Sequence, residues 1–188
     1  MPQTPIIFTG SVERNVNFGE TSPYRNRGDI LRALRIAQAE EFVSKLPEGT
    51  ETVLSQYGKN VSGGQKQRIT IARAICKDPE ALLLDDSFSA LDFKTDSALR
   101  SCLRRDMADT TKVIVAQRVG TVMDADLIIV LDEGEVMGIG THGSLMESCP
   151  IYRDTAIAQM EERRCRREDR HGQTPRSPNP FGRRFGSC

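Results

Sequence analysis

The segment Val61–Arg68 reads VSGGQKQR. A serine followed by two glycines at the start of a helical pattern can seat a phosphate, because the first N–H groups of a helix have no partner within it. A loop that holds its own nucleotide has the form GxxxxGK[ST], whose lysine reaches the phosphates. That lysine is absent. The only Gly-Lys pair, Gly58-Lys59, is followed by Asn60, and Val53 stands where the first glycine belongs. A second group able to do chemistry closes the run ALLLDD, at Asp85 and Asp86. Hard carboxylate oxygens at a strand end suit a divalent ion on a triphosphate. By itself an acid pair is also a solvated turn or a helix cap, and SGGQ by itself is also an ordinary glycine turn. SALD at Ser89–Asp92, directly after the acids, and VSGGQ a helix length before them join both into one arrangement.

The elements that must position these residues follow from periodicity and punctuation. Ser11 is placed to cap a short helical turn. Asp29 is expected to cap a helix running to about Gln38, with Ile30, Leu31, Leu34 and Ala37 at helical spacing. A second piece, Ala39–Leu46, stops at Pro47, and residues 47–61 are rich in turns. The helix behind the glycines covers about Gly64–Lys77, with Ile69, Ala72 and Ile75 facing inward. Ala81–Asp85 has the unbroken apolar run of a parallel strand covered on both faces. There follow a helix Phe93–Asp106, a strand Lys112–Ala116, a turn around Gly120 and a strand Asp126–Leu131. A hairpin at Glu133-Gly134 leads into Val136–Ile139, and a last helix covers 150–161. The alternation predicts an α/β architecture with a mainly parallel sheet.

Composition narrows the classes. With 188 residues, 38% of them hydrophobic and 28% charged, the chain can bury one real core. The longest aliphatic run, LIIVL at Leu127–Leu131, is far too short to cross a bilayer. The start MPQTPIIFTG lacks the basic and apolar regions of a secretory signal. Five cysteines (76, 102, 149, 165 and 188) form no CxxC pair, which argues against a zinc ribbon or a disulfide frame and for a reduced, intracellular setting. Net charge is zero but uneven. Residues 161–188 hold eight arginines against four acids, with Pro175, Pro178 and Pro180, and are expected to be a disordered, Arg-rich tail. No basic stripe interleaved with aromatics precedes residue 161, so nucleic acid is not an expected partner.

In this context the sequence resembles the ATP-binding-cassette (ABC) ATPases, of the exporter type, over about residues 1–158. VSGGQKQR is similar to their signature motif, LLLDD to Walker B with the acid that follows it, and SALD to the D-loop. VIVAQR at 113–118 resembles the switch segment, and MPQTPIIFTGSVERNVNFG the Q-loop with its sequel. GEVMGIGTHGSLME at 134–147 resembles the last sheet edge and helix. The resemblance implies a P-loop NTPase-like fold with a helical insert over roughly 20–75. It begins at the Q-loop, so the first strands and Walker A of such a domain are expected to be missing, and Met1 is either the true start or an internal codon of a longer frame. Residues 1–160 then form a partial ATP-binding domain and 161–188 a tail.

The resemblance also implies roles. In the family two domains dimerise head to tail, and each signature completes the ATP site of the other. Ser62, Gly63 and Gly64 would present a hydroxyl and amides to the γ-phosphate of a partner's ATP, with Gln65 supporting the loop. Asp85 would hold Mg²⁺, and Asp86 and Gln117 would take the catalytic positions. Gln3 would sense the γ-phosphate and Mg²⁺ and face the membrane domain. Asp92 would cross the dimer interface as well as cap a helix, whereas His142 has a structural role in a loop before the last helix. Two positions depart from the pattern: Asp86 stands where Glu is usual, and Gln117 where His is usual. A carboxylate pulled back by one methylene, and a side chain that cannot become cationic, both weaken catalysis. The pair implies the degenerate half of a heterodimeric exporter, at the cytoplasmic face of a membrane, with transmembrane domains and a second ATPase subunit as partners. A slow symmetric homodimer, a non-catalytic interaction module, and an ABC ATPase of the chromosome-maintenance kind are the alternatives.

Overall fold

A computed structural model describes Met1, residues 3–19 and residues 25–171, with side chains through Glu161. The chain divides into two compact units, Met1–Gln117 and Arg118 onward.

In the first unit, strand β1 (Gly10–Ser11) leads directly into helix α1 (Val12–Val16), capped by Ser11, whose side chain accepts from Arg14 N. Helix α2 (Arg27–Ile36) begins at Asn26 rather than at Asp29. Asn26 Oδ1 accepts from Asp29 N at 3.0 Å and Asp29 Oδ2 accepts from Asn26 N at 3.1 Å, a reciprocal capping box. Asp29 is therefore the third helical residue, and the helix ends at Ile36. After helix α3 (Glu40–Ser44) and strand β2 (Val53–Leu54), which pairs antiparallel with β1, comes helix α4 (Gly63–Cys76). It starts and ends one residue earlier than the pattern predicts. Strand β3 (Ala81–Asp85), helix α5 (Phe93–Asp106) and strand β4 (Thr111–Val115) complete the unit.

Ile30 and Leu34 of α2, Ile69, Ile71 and Ala72 of α4, Leu84 of β3 and Leu99 of α5 are fully shielded and form one core. Ile69, Ala72 and Ile75 face inward, as their spacing predicts.

The sheet departs from expectation in two ways. Among the described residues only β3 and β4 pair in parallel, in the register Leu83↔Val113 and Asp85↔Val115, and the other two strand pairs are antiparallel. In addition, β3 is covered on one face only. Leu82 and Leu84 are buried, but Leu83 is 56% exposed and shares its open face with Val113 and Val115. Side chains alternate across a strand, and no described element lies over that second face.

In the second unit a short helix α6 (Val119–Val122) replaces the expected turn at Gly120. Strand β5 (Ile128–Asp132) pairs antiparallel with β6 (Glu135–Gly140) through a turn in which Glu133 and Gly134 both have positive φ. Helix α7 (His142–Ser148), capped by Thr141, stands where a loop was expected, and helix α8 (Pro150–His171) runs past residue 161. The rest of the expected tail, 172–188, lies outside the described residues. Ile128, Leu145, Cys149, Tyr152 and Ala156 make this unit's core. A hydrogen bond of 2.8 Å joins His142 Nδ1 to the Tyr152 hydroxyl across the two helices.

Leu34→Ala is expected to cost about 2–5 kcal/mol in denaturant unfolding, as a cavity in a closed core does. Leu83→Ala, on the open face, should stay within about 0.5 kcal/mol. Equal costs would mean that the β3–β4 face is covered in solution.

Candidate functional site

The first turn of α4 is built by a second capping box. Ser62 has extended backbone, its Oγ accepts from Gln65 N at 3.3 Å, and Gln65 Oε1 accepts from Ser62 N at 2.8 Å. Gln65 thus closes the loop on Ser62. The box leaves the N–H groups of Gly63 and Gly64 as the first-turn donors with no carbonyl four residues back in the helix. The positive end of the helix dipole adds to them, so the turn is a ready anion seat.

The two glycines do different things. A Cβ on Gly63 would meet nothing within 4 Å, so this residue faces open space. A Cβ on Gly64 would lie 3.2 Å from the Ala90 carbonyl oxygen, so Gly64 lets the SALD segment pack on the turn. Two residues after Ala90, Asp92 caps α5, accepting from Thr95 N at 3.0 Å and from the Thr95 hydroxyl at 2.6 Å. These bonds, the hydroxyl's first, hold the Asp92 carboxyl below the usual carboxylate range. Arg68, which sequence reasoning did not single out, braces the turn from behind. It donates to Gly64 O at 3.3 Å and to Gln38 O at 2.6 Å, and its guanidinium lies 4.7 Å from the centroid of the Phe42 ring. Burial pushes its ionisation down, and the charges of Asp92 and Glu41 oppose that shift. Its position four residues after Gly64 is the one available signal.

The second constellation lies at the carboxyl ends of β3 and β4. Asp85 is paired with Val115, and Asp86 N donates to Val115 O at 2.9 Å, which puts Gln117 just beyond the same end of the neighbouring strand. Asp86 is in the left-handed region, φ 43°, where a non-glycine residue is uncommon. Its carbonyl is held by Ser89 Oγ at 2.9 Å. Ser87 is fully buried and donates to Asp85 O at 3.3 Å. The chain start joins here, because the Met1 amine donates to Leu83 O at 2.7 Å and Asp85 N donates to Met1 O at 3.4 Å. Gln3, two residues on, is exposed. The structure therefore gathers Asp85, Asp86 and Gln117 at one sheet end, with Met1 alongside β3. It separately gathers Ser62, Gly63, Gly64 and Gln65 with the approach to Asp92.

The chain matches the family model "ABC transporter" over residues 2–89. It is 37% identical over 163 residues to ABC transporter B family member 17 of Arabidopsis thaliana, covering 87% of this chain and 13% of that protein. It is 39% identical over 160 residues to an uncharacterized ABC transporter ATP-binding protein of Mycobacterium tuberculosis, covering 85% of this chain and 27% of the relative. A solved bacterial Atm1-family ABC exporter with ATP bound superposes with a TM-score of 0.79 at 32% identity, over 85% of this chain and 28% of that one.

The chain belongs to the ABC transporter ATPase family.

It spans roughly an eighth to a quarter of the length of these curated relatives. Nucleotide and Mg²⁺ are the general ligands of ABC ATPases, and the residues present fit them. A Cβ on Gly63 would meet nothing within 4 Å, so that side of the turn is open, and adjacent carboxylates at a strand end are of the kind that Mg²⁺ takes beside phosphate oxygens. Among the described residues no three His, Cys, Asp or Glu side chains form a protein-only metal cage.

Gly63→Ala is expected to leave stability within about 0.5 kcal/mol, since the new methyl meets open space. Gly64→Ala should be the less stable of the two by on the order of 1 kcal/mol, because its methyl crowds a backbone carbonyl. Denaturant midpoints compare them, and the reverse order contradicts the geometry. The Asp92 cap has a lowered folded pKa, so its contribution is present above the ordinary carboxylate pKa and is lost as pH falls through the folded value. A carboxyl NMR titration of Asp92 should show a midpoint below that of an unfolded aspartate.

Proposed function

We propose that this chain is an ATP-binding part of an ABC exporter. It lends Ser62, Gly63, Gly64 and Gln65 to an ATP held by a second ATPase subunit, and its own strand-end set makes a degenerate site. The observation that carries this reading is the first turn of α4. The amides of Gly63 and Gly64, which have no carbonyl four residues back in the helix, and the open face of Gly63 make this turn a phosphate seat. The family resemblance of VSGGQ to a signature motif supports its use by a nucleotide anchored on a second subunit.

In the chain's own set, Asp85 is the Mg²⁺ ligand. Asp86 occupies the position from which a carboxylate orients or deprotonates the attacking water, and Gln117 the position that contacts the γ-phosphate. The Asp86 carboxylate sits one methylene short of a glutamate's reach, a misplacement on the order of an ångström that can cost about a hundredfold in rate. Gln117 can donate a hydrogen bond but carries no positive charge. Gln3, exposed two residues after Met1, is the link toward the membrane domains, and Asp92 faces the second subunit. No helix among the described residues is long and apolar enough to cross a membrane. The proposed place of the chain is at the cytoplasmic face, against the transmembrane domains of an exporter.

The test is phosphate release from Mg-ATP by the purified chain, alone and with Asp86→Glu and Gln117→His combined. The expected result is no measurable turnover in either. Clear Mg²⁺-dependent turnover that Asp85→Ala abolishes would contradict the reading, since the chain would then hold and cleave ATP by itself.

A further inference from the structure

The stretch Ile6–Phe8, just past Gln3, is anchored on one side to the turn that leads into α4 and on the other to α4 itself. On one side Ile7 is 3% exposed, and its Cγ1 lies 3.2 Å from the point a Cβ on Gly58 would occupy. Val61 Cγ2 and Lys66 Cε lie 3.1 Å from the same point. Gly58 has φ 62°, and its carbonyl accepts from Val61 N at 3.1 Å. Val61 directly precedes Ser62. The Ile7 side chain therefore fills the space under the turn that leads into the seat.

On the other side stands Arg73, deep in α4. Its Nε donates to Asn15 O at 2.6 Å, Nη1 to Ile6 O at 2.9 Å and Nη2 to Asn15 Oδ1 at 3.0 Å. Asn15, 1% exposed, also accepts from Phe8 N at 2.9 Å and donates to Phe8 O at 2.9 Å, to Ser11 O at 3.1 Å and, at 3.5 Å, to Gly10 O. The rings of Phe8 and Phe18 stack at 3.9 Å, with the guanidinium 5.0 and 5.5 Å from their centroids. Burial pushes the Arg73 guanidinium down to about 10, and among the described residues no carboxylate offsets the shift. A cation buried without a counter-charge is a poor source of stability compared with an apolar side chain of equal volume. What its rigid fork supplies is a fixed geometry among three backbone segments, which neither lysine nor an apolar residue reproduces.

We propose that Arg73 is a positioning residue for the phosphate seat: it fixes Ile6–Phe8 against α4 and so keeps Ile7 seated under Gly58–Val61. A displacement of the segment that follows Gln3 is then carried into Ser62–Gln65 through Ile7, within one chain. The functional meaning of this coupling rests on reading Ser62–Gln65 as a phosphate seat.

Hydrogen–deuterium exchange on the full chain tests the coupling without nucleotide or partner. Arg73→Lys keeps the charge and loses the fork, and Ile7→Val trims only the wedge. In Arg73→Lys, exchange should rise about tenfold both over residues 6–18 and over residues 56–65, with α5 unchanged. In Ile7→Val it should rise over 56–65 while α1 and α5 keep their protection. The proposal is overturned if residues 56–65 keep wild-type exchange in Arg73→Lys, or if α5 loosens equally, which would make Arg73 a residue of general stability. Because the readout involves no ATP, a negative result here leaves the exporter reading standing. Failure of the ATP experiment would likewise leave the coupling intact.

Discussion

The reciprocal hydrogen bonds between Ser62 and Gln65 are the constraint on which the rest of the first unit is arranged. They fix where α4 starts, and so decide that Gly63 and Gly64 occupy the turn with unpaired amides. From that start the helix presents Arg68 to the Gly64 carbonyl and to Gln38. It presents Ile69 and Ala72 to the core, and Arg73 to the segment behind Gln3. Shifting the start by one residue would rotate each of these side chains about 100° around the axis. The seat, the core contact and the clamp therefore share one register.

The strand-end set depends on a different constraint. The parallel register of β3 and β4 brings Asp85, Asp86 and Gln117 to one end of the sheet, and the left-handed backbone at Asp86 turns the chain toward the buried Ser87 and Phe88. Because Ser87 and Phe88 are buried, the turn at Asp86 has little freedom to move. The Gly64–Ala90 approach ties this turn's continuation to the other constellation, so the two sets are linked through SALD.

Much of this was legible in the sequence, for reasons visible in particular residues. The helix Phe93–Asp106 has an aspartate cap and a strict apolar spacing, and its bounds match. Ser62 is the only cap-type residue next to the two glycines. At α2 both Asn26 and Asp29 are cap-type residues three apart, and a capping box uses both, so local pattern does not say which one stands first. The run ALLLD is apolar at every position, and such a run cannot tell which face lies open. The Arg73 clamp was invisible because its partners lie 58 and 67 residues away, beyond any local periodicity. Arg68 was hidden within the motif that drew attention to its neighbours.

The central claim is that the amides of Gly63 and Gly64 serve a nucleotide held by another subunit. NMR of the ¹⁵N-labelled chain measures it most directly, with an ATP-binding ABC exporter subunit added in the presence and absence of a non-hydrolysable ATP analogue. Both glycine amides should shift when subunit and analogue are present together, and neither should shift with the analogue alone. Glycine amides that stay in place while the subunit binds, or that shift fully with the analogue alone, would contradict it.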